Sequence, residues 1–192
     1  MSEENTSNPI DGSGYLNLFV SAIEKSESKK HNAEFNQDDK VDNKRLKTEI
    51  INIETGNIYK GEHINYIPNG SGELTNKNGM KTIGEFKDGK SNGFAKKYYP
   101  NGSLLYKGKW KDGRPNGFGK TYRQNGSLLY EGYFKDAKPD GLGKEYQKNG
   151  KIRYEGYFKD GKSNGRGKIY HQNGTLWYEG YFKDGHPSNE TE

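Results

Sequence analysis

The sequence predicts an all-β fold: a solenoid or ribbon of stacked antiparallel β-hairpins from 23–24-residue repeats, preceded by a short helix. Three observations carry that prediction: a fixed period, apolar content held in rings, and turn dipeptides at constant offsets. Tyr-x-Gly steps begin at Tyr106, Tyr130, Tyr154 and Tyr178, 24 residues apart, and self-similarity at such a period marks a repeat architecture. Full copies run over 59–81, 82–105, 106–129, 130–153 and 154–177, with a partial copy at 178–185. Only 28% of the chain is hydrophobic and mean hydropathy is −1.25, values that border on disorder. Aromatics nevertheless reach 13%, with 15 Tyr, and disordered chains lack them. Burial must therefore rest on Tyr, Phe and Trp.

In chain order, residues 1–47 form an acidic leader. Within it, 14–25 place Leu16, Phe19, Val20 and Ile23 at i, i+3, i+4 and i+7, one face of a short helix behind Ser13. That helix either packs on the end of the repeats or docks on a partner. Residues 26–47 are polar and aperiodic, a linker. Residues 48–58 alternate Ile51 and Ile53 and read as a lead-in strand covering the edge of the first copy.

Each repeat then reads as a hairpin. In 103–110, Leu104, Tyr106, Gly108 and Trp110 share one strand face, opposite Leu105, Lys107 and Lys109. Residues 111–117, "KDGRPNG", are dense in turn formers. Residues 118–123 return with Phe118, Lys120 and Tyr122 on one face, and Asn125-Gly126 predicts a short hairpin turn. Gly108 and Gly119 leave room for neighbouring rings. A lone hairpin is marginal in water, so the copies must stack. The expected core is Tyr106, Trp110, Tyr122, Tyr130, Phe134, Tyr146, Tyr154, Phe158 and Tyr170, with Gly117, Gly119, Gly132 and Gly156 completing the frame. The tail, 186–192, is expected to be disordered.

The pattern Tyr154-x-Gly156-x4-Gly161-x3-Gly165-x-Gly167 resembles the MORN repeat (membrane occupation and recognition nexus). The longer unit, "NGxLxYEGxFKDG", is similar to the variant found in the YwqK-type antitoxin family. The resemblance spans 59–185 and implies a binding module: either a protein scaffold, in the antitoxin or immunity sense of masking a partner, or a surface for anionic phospholipid. Such repeats also accompany enzymes as targeting segments. Departures are Thr82 for the first Tyr, Ala95 and Ala137 for Gly, His63 in an aromatic slot and Thr75 in the later Tyr slot.

Chemistry is expected nowhere in this chain. Gly84–Ser91 and Gly156–Ser163 match the phosphate-loop pattern, but that loop needs a helix opening at its Lys, and here Asn-Gly and a strand follow. No nucleotide, cofactor or metal is expected. The four His are scattered, and there is no Cys for a disulfide, thiolate or zinc site. The recurring Asp88, Asp112, Asp136, Asp160 and Asp184 read as turn residues rather than as a cation site. Asn69, Asn101, Asn125 and Asn173 match glycosylation acceptors but read as turns.

Charge divides into −4 over 1–58 and +9 over 59–192, interleaved rather than blocked, which argues against nucleic acid as a partner despite Tyr alternating with Lys. No apolar run is long enough for a transmembrane span, and the polar N-terminus suggests a cytoplasmic protein, peripheral at a membrane in the lipid reading. Slots that vary between copies are the contact candidates: Lys107/Glu131/Glu155/Glu179, Lys109/Tyr133/Tyr157/Tyr181 and Thr121/Glu145/Ile169. Of these, Tyr133, Tyr157 and Tyr181 are expected to form an exposed ladder that binds a partner.

Overall fold

The computed structural model describes the backbone of residues 47–53 and all of residues 56–189. The helix and linker expected before residue 47 lie outside the described residues. Thirteen strands run in sequence: β1 (Lys47–Ile53), β2 (Asn57–Ile64), β3 (Ile67–Thr75), β4 (Lys81–Lys87), β5 (Lys90–Tyr98), β6 (Leu104–Lys111), β7 (Arg114–Tyr122), β8 (Leu128–Lys135), β9 (Lys138–Tyr146), β10 (Ile152–Lys159), β11 (Lys162–Tyr170), β12 (Leu176–Lys183) and β13 (His186–Ser188). They form one open sheet in which each strand pairs antiparallel with the next. β1 pairs along β2 from Lys47↔His63 to Ile53↔Asn57. The tail is corrected in part: His186–Ser188 is a strand, held by Tyr181↔Ser188 and Phe182↔Pro187.

Two kinds of connection alternate. The tight one is not the Asn-Gly predicted from sequence but Asp-Gly. Lys111 pairs with Arg114, leaving Asp112 and Gly113 as a two-residue turn with φ of 51° and 81°. Positive φ at both central residues is the turn that matches strand twist. Ala137 takes the Gly slot of one such turn at φ 69°, a conformation that strains a residue with a Cβ. Asn125-Gly126 instead sits in a longer loop, closed by Arg123 N–H to the Ser127 carbonyl at 2.9 Å and by Ser127 N–H to Asn125 Oδ1 at 3.0 Å. Asn101 and Asn173 act alike, whereas Asn69 lies inside β3.

The stretch 111–117 is therefore mostly strand, not turn. Pro115 and Pro68 are fully buried, at ladder positions where a missing N–H costs nothing. Their carbonyls accept the turn amide of the following hairpin: Ala137 N–H to Pro115 and Gly89 N–H to Pro68, at 2.9 and 3.0 Å. Ser91 and Ser163, the last residues of the two phosphate-loop matches, lie in β5 and β11 and do the same for Gly113 and Gly185. Hairpin tips thus stack on one another. Between Gly108↔Gly119 and Trp110↔Pro115 the register shifts. The extra residues of β7 bend the strand there, as a bulge does, and the core lies on one side of the bend.

That core is a zigzag of rings. Tyr130 meets Phe134 and Phe158, and Tyr154 meets Phe158 and Phe182, edge to face at centroid distances of 4.9–5.1 Å. Each such pair adds about 0.5–1.5 kcal/mol beyond burial. Every core Tyr donates its hydroxyl hydrogen to the carbonyl three residues on, as in Tyr106 to Lys109 at 2.9 Å and Tyr154 to Tyr157 at 2.9 Å. The ring lies flat over the next strand's glycine, so a Cβ on Gly119 would overlap the Tyr106 hydroxyl. Burial raises the Tyr106 and Tyr130 hydroxyls far above the ordinary tyrosine range and Tyr154 to about 12.

The departures Thr82 and Ala95 explain one another. In the only described copy without the Tyr, Gly becomes Ala. Ala95 is fully buried where that ring would lie, and Trp110, the larger ring of its slot, donates Nε1–H to the Ala95 carbonyl at 3.2 Å. One expectation fails on the core. Tyr122, Tyr146 and Tyr170 share a face with Phe118 and Lys120, but it is the opposite face, because glycine and not Tyr122 points towards the Tyr106 ring. Leu105, in turn, packs against the core. The register shift between Lys97/Tyr98 and their partners places it beside Tyr106 rather than opposite.

Candidate functional site

The face turned away from the core carries a groove of about 720 Å³ running from β7 to β12. Its floor is backbone at Gly132, Gly143, Gly156, Gly167 and Gly180, the line of glycines whose missing side chains admit the core tyrosines from the other side. The same glycines thus thin the sheet for two purposes.

One wall is apolar. Phe118, Tyr133, Leu142 and Tyr157 are each about half exposed, 48–51%, and Phe118 meets Tyr133 edge to face at 5.7 Å. Tyr133 and Tyr157 stack their Cβ atoms over Gly141 and Gly165, which explains glycine inside those strands. Tyr181 departs from the exposed ladder: it is half-buried beneath Arg166, whose Nε–H donates to the Tyr181 hydroxyl at 2.8 Å and whose guanidinium sits 5.2 Å from the ring centroid.

The other wall is a charge ladder. Lys120 pairs with Glu131 at 2.5 Å, Lys144 with Glu155 at 3.1 Å and Lys168 with Glu179 at 3.2 Å. The hydroxyls of Tyr146 and Tyr170 donate to Glu131 and Glu155 at 2.6 Å. These contacts hold the Glu131 carboxyl below its ordinary range, chiefly through Lys120. The Tyr170 hydroxyl is raised to about 12 by Glu155, and that of Tyr146 to about 12 by desolvation and Glu131. Tyr122, Tyr146 and Tyr170 are therefore wall residues rather than core.

Two variable slots named from sequence line this groove: Glu131/Glu155/Glu179 and Tyr133/Tyr157/Tyr181. The third does not, since Thr121, Glu145 and Ile169 pair with Tyr106, Tyr130 and Tyr154 on the core face and Ile169 packs against the core. Phe118, Leu142 and Arg166 also line the groove and were not singled out from sequence. The signal was available, since their slot also varies from copy to copy. No group of three or more His, Cys, Asp or Glu side chains among the described residues could hold a metal ion, and no described helix is long and apolar enough to cross a membrane. Asp88, Asp112, Asp136, Asp160 and Asp184 each take positive φ in their tight turns.

A family model described as MORN repeat matches residues 83–104 and 106–128, and one described as MORN repeat variant matches 139–160 and 163–184. No curated protein matches the chain.

Proposed function

Since this chain is a MORN-repeat protein over residues 83–184, we propose that it is a non-catalytic module that binds an extended segment of another protein along the outer groove. The observation that carries this reading is the row Phe118, Tyr133, Leu142 and Tyr157, half exposed over a glycine floor on the face that the core does not use. Core packing requires rings on one face only. A contiguous apolar strip on the other marks an interaction site, and Tyr and Phe are the side chains that dominate binding energy. The antitoxin-like form of this reading is a near-stoichiometric complex in which the bound partner is silenced.

A second reading, an anionic membrane surface, is favoured by the stacked hairpin tips. Four successive tips, from Lys87–Lys90 to Lys159–Lys162, carry two cations for one Asp, as at Lys111, Asp112, Arg114 and Lys159, Asp160, Lys162. Clustered Lys and Arg gain about 1 kcal/mol each near such a surface, and salt removes it. The test is a pull-down from native extract, membranes included, run with the natural protein and with Tyr133→Ala/Tyr157→Ala. One protein recovered in near-stoichiometric amount and lost with the variant supports the groove. Recovery of lipid alone, released by salt and indifferent to the variant, overturns it in favour of the membrane.

A further inference from the structure

On the charged wall, direct cross-strand pairs link Lys96↔Lys107, Lys107↔Lys120 and Lys120↔Glu131. From Lys120 to Glu179 the signs alternate and neutralise one another. Lys96 and Lys107 precede Lys120, so that three lysines stand in succession across β5, β6 and β7. Like charges directly opposite each other destabilise a sheet, and the frame does not demand them, because Glu131, Glu155 and Glu179 fill the Lys107 slot in later copies. On the apolar wall the same copy departs again: Lys109 stands in the slot of Tyr133, Tyr157 and Tyr181. Neither Lys96, Lys107 nor Lys109 takes part in an ion pair among the described residues. Lys107 lies 5.9 Å from the Tyr122 ring centroid. Glu85, on β4 in the slot that Lys109 fills on β6, is likewise in no ion pair among the described residues, and the patch keeps a net positive charge with Glu85 counted.

We infer that the groove has a direction. It takes a partner segment whose acidic residues sit over Lys96, Lys107 and Lys109, at β5 and β6 just beyond the β7 end of the groove, and whose apolar residues lie along Phe118, Tyr133, Leu142 and Tyr157 towards β10. The occupant is an extended stretch of another protein, since five strand spacings of about 4.8 Å match some seven or eight residues at about 3.3 Å each. Charge complementarity orients such a segment and rejects its charge-reversed counterpart. This assignment deepens the groove-binding reading and rests on it.

The test is a selection of random 12-residue displayed peptides on the full chain at physiological salt, repeated on Lys107→Glu/Lys109→Tyr. That variant restores residues that neighbouring copies already carry, so it is compatible with the fold. The expected result is enrichment of peptides with Asp or Glu clustered to one side of an apolar stretch. Their affinity, read by fluorescence anisotropy, falls about tenfold or more on the variant and loses most of its salt dependence. Apolar peptides without an acidic cluster, or acidic ones that bind the variant equally well, overturn the direction while leaving the groove as a binding site. No enrichment at all overturns both. Carboxyl-to-lysine cross-links from residues 1–46 to Lys96, Lys107 or Lys109 in the free protein would make the chain's own acidic leader the occupant, and so overturn the assignment to a partner.

Discussion

The two faces of this sheet are built from the same residue types and use them in opposite ways. On the core face Tyr106, Tyr130 and Tyr154 are pinned, each with its ring across a glycine, its edges against two Phe or Trp rings, and its hydroxyl on a carbonyl three residues away. On the outer face Tyr133 and Tyr157 stand about half exposed. The difference teaches that aromatic content alone does not distinguish a core from a contact surface. What distinguishes them is how the glycine meets the ring: Gly143 and Gly167 receive the hydroxyl ends of Tyr130 and Tyr154, whereas Gly141 and Gly165 touch only the near carbons of Tyr133 and Tyr157. A repeat protein can therefore hold one face constant for folding and vary the other for recognition.

The largest effect should come from removing a pinned ring. Tyr130→Ala, which empties the contacts to Phe134 and Phe158, is expected to cost about 3–5 kcal/mol, read by denaturant unfolding. Next comes its glycine. Gly143→Ala pushes a methyl group into the Tyr130 hydroxyl and is expected to cost about 1–3 kcal/mol as overpacking. The natural Thr82/Ala95 pair indicates the rescue: Tyr130→Thr/Gly143→Ala should cost clearly less than the sum of Tyr130→Thr and Gly143→Ala. Strict additivity would break the link between ring and glycine.

Titration sharpens the comparison. Burial raises the folded-state pKa of Tyr154, to about 12, so its contribution is complete below the ordinary tyrosine value of about 10 and is lost as pH climbs through 12. Alkaline unfolding should set in between those limits. Glu131 titrates in the opposite sense. Its folded pKa is lowered, so its smaller contribution is present above the ordinary carboxylate value and disappears as pH falls through the lowered one. Glu131→Gln should flatten the acid limb of a thermal midpoint plotted against pH.

A smaller gain is expected at a tight turn. Ala137→Gly relieves positive φ at 69° and should stabilise by about 1 kcal/mol. That shift corresponds to a thermal midpoint some 2–4 °C higher.

The fold was largely legible because the period fixes it. Tyr106, Gly108, Trp110 and their copies were placed correctly from alternation alone. The misplacement of Tyr122 has a specific cause. Alternation tells which residues share a face, not which face is inward, and that choice is set by the register, which pairs Tyr106 with Thr121 and so turns Tyr122 to the other side. Leu105 and the stretch 114–117 were misread because bulges break the period of two. The groove was half legible, since variable slots pointed to Tyr133 and Tyr157 but also to Ile169, which the register turns inward. Nothing local in the sequence announced that Arg166 would cover Tyr181.

The most direct test of the division between faces is the unfolding free energy of Tyr133→Ser/Tyr157→Ser. Tyr133 keeps one ring partner, Phe118, and neither ring belongs to the core zigzag. Cross-strand contacts of this kind carry about 0.2–1 kcal/mol each, so the account predicts a loss below about 2 kcal/mol, well short of Tyr130→Ala. A loss equal to that of Tyr130→Ala would show that the outer rings hold the sheet together and would contradict the assignment of that face to binding.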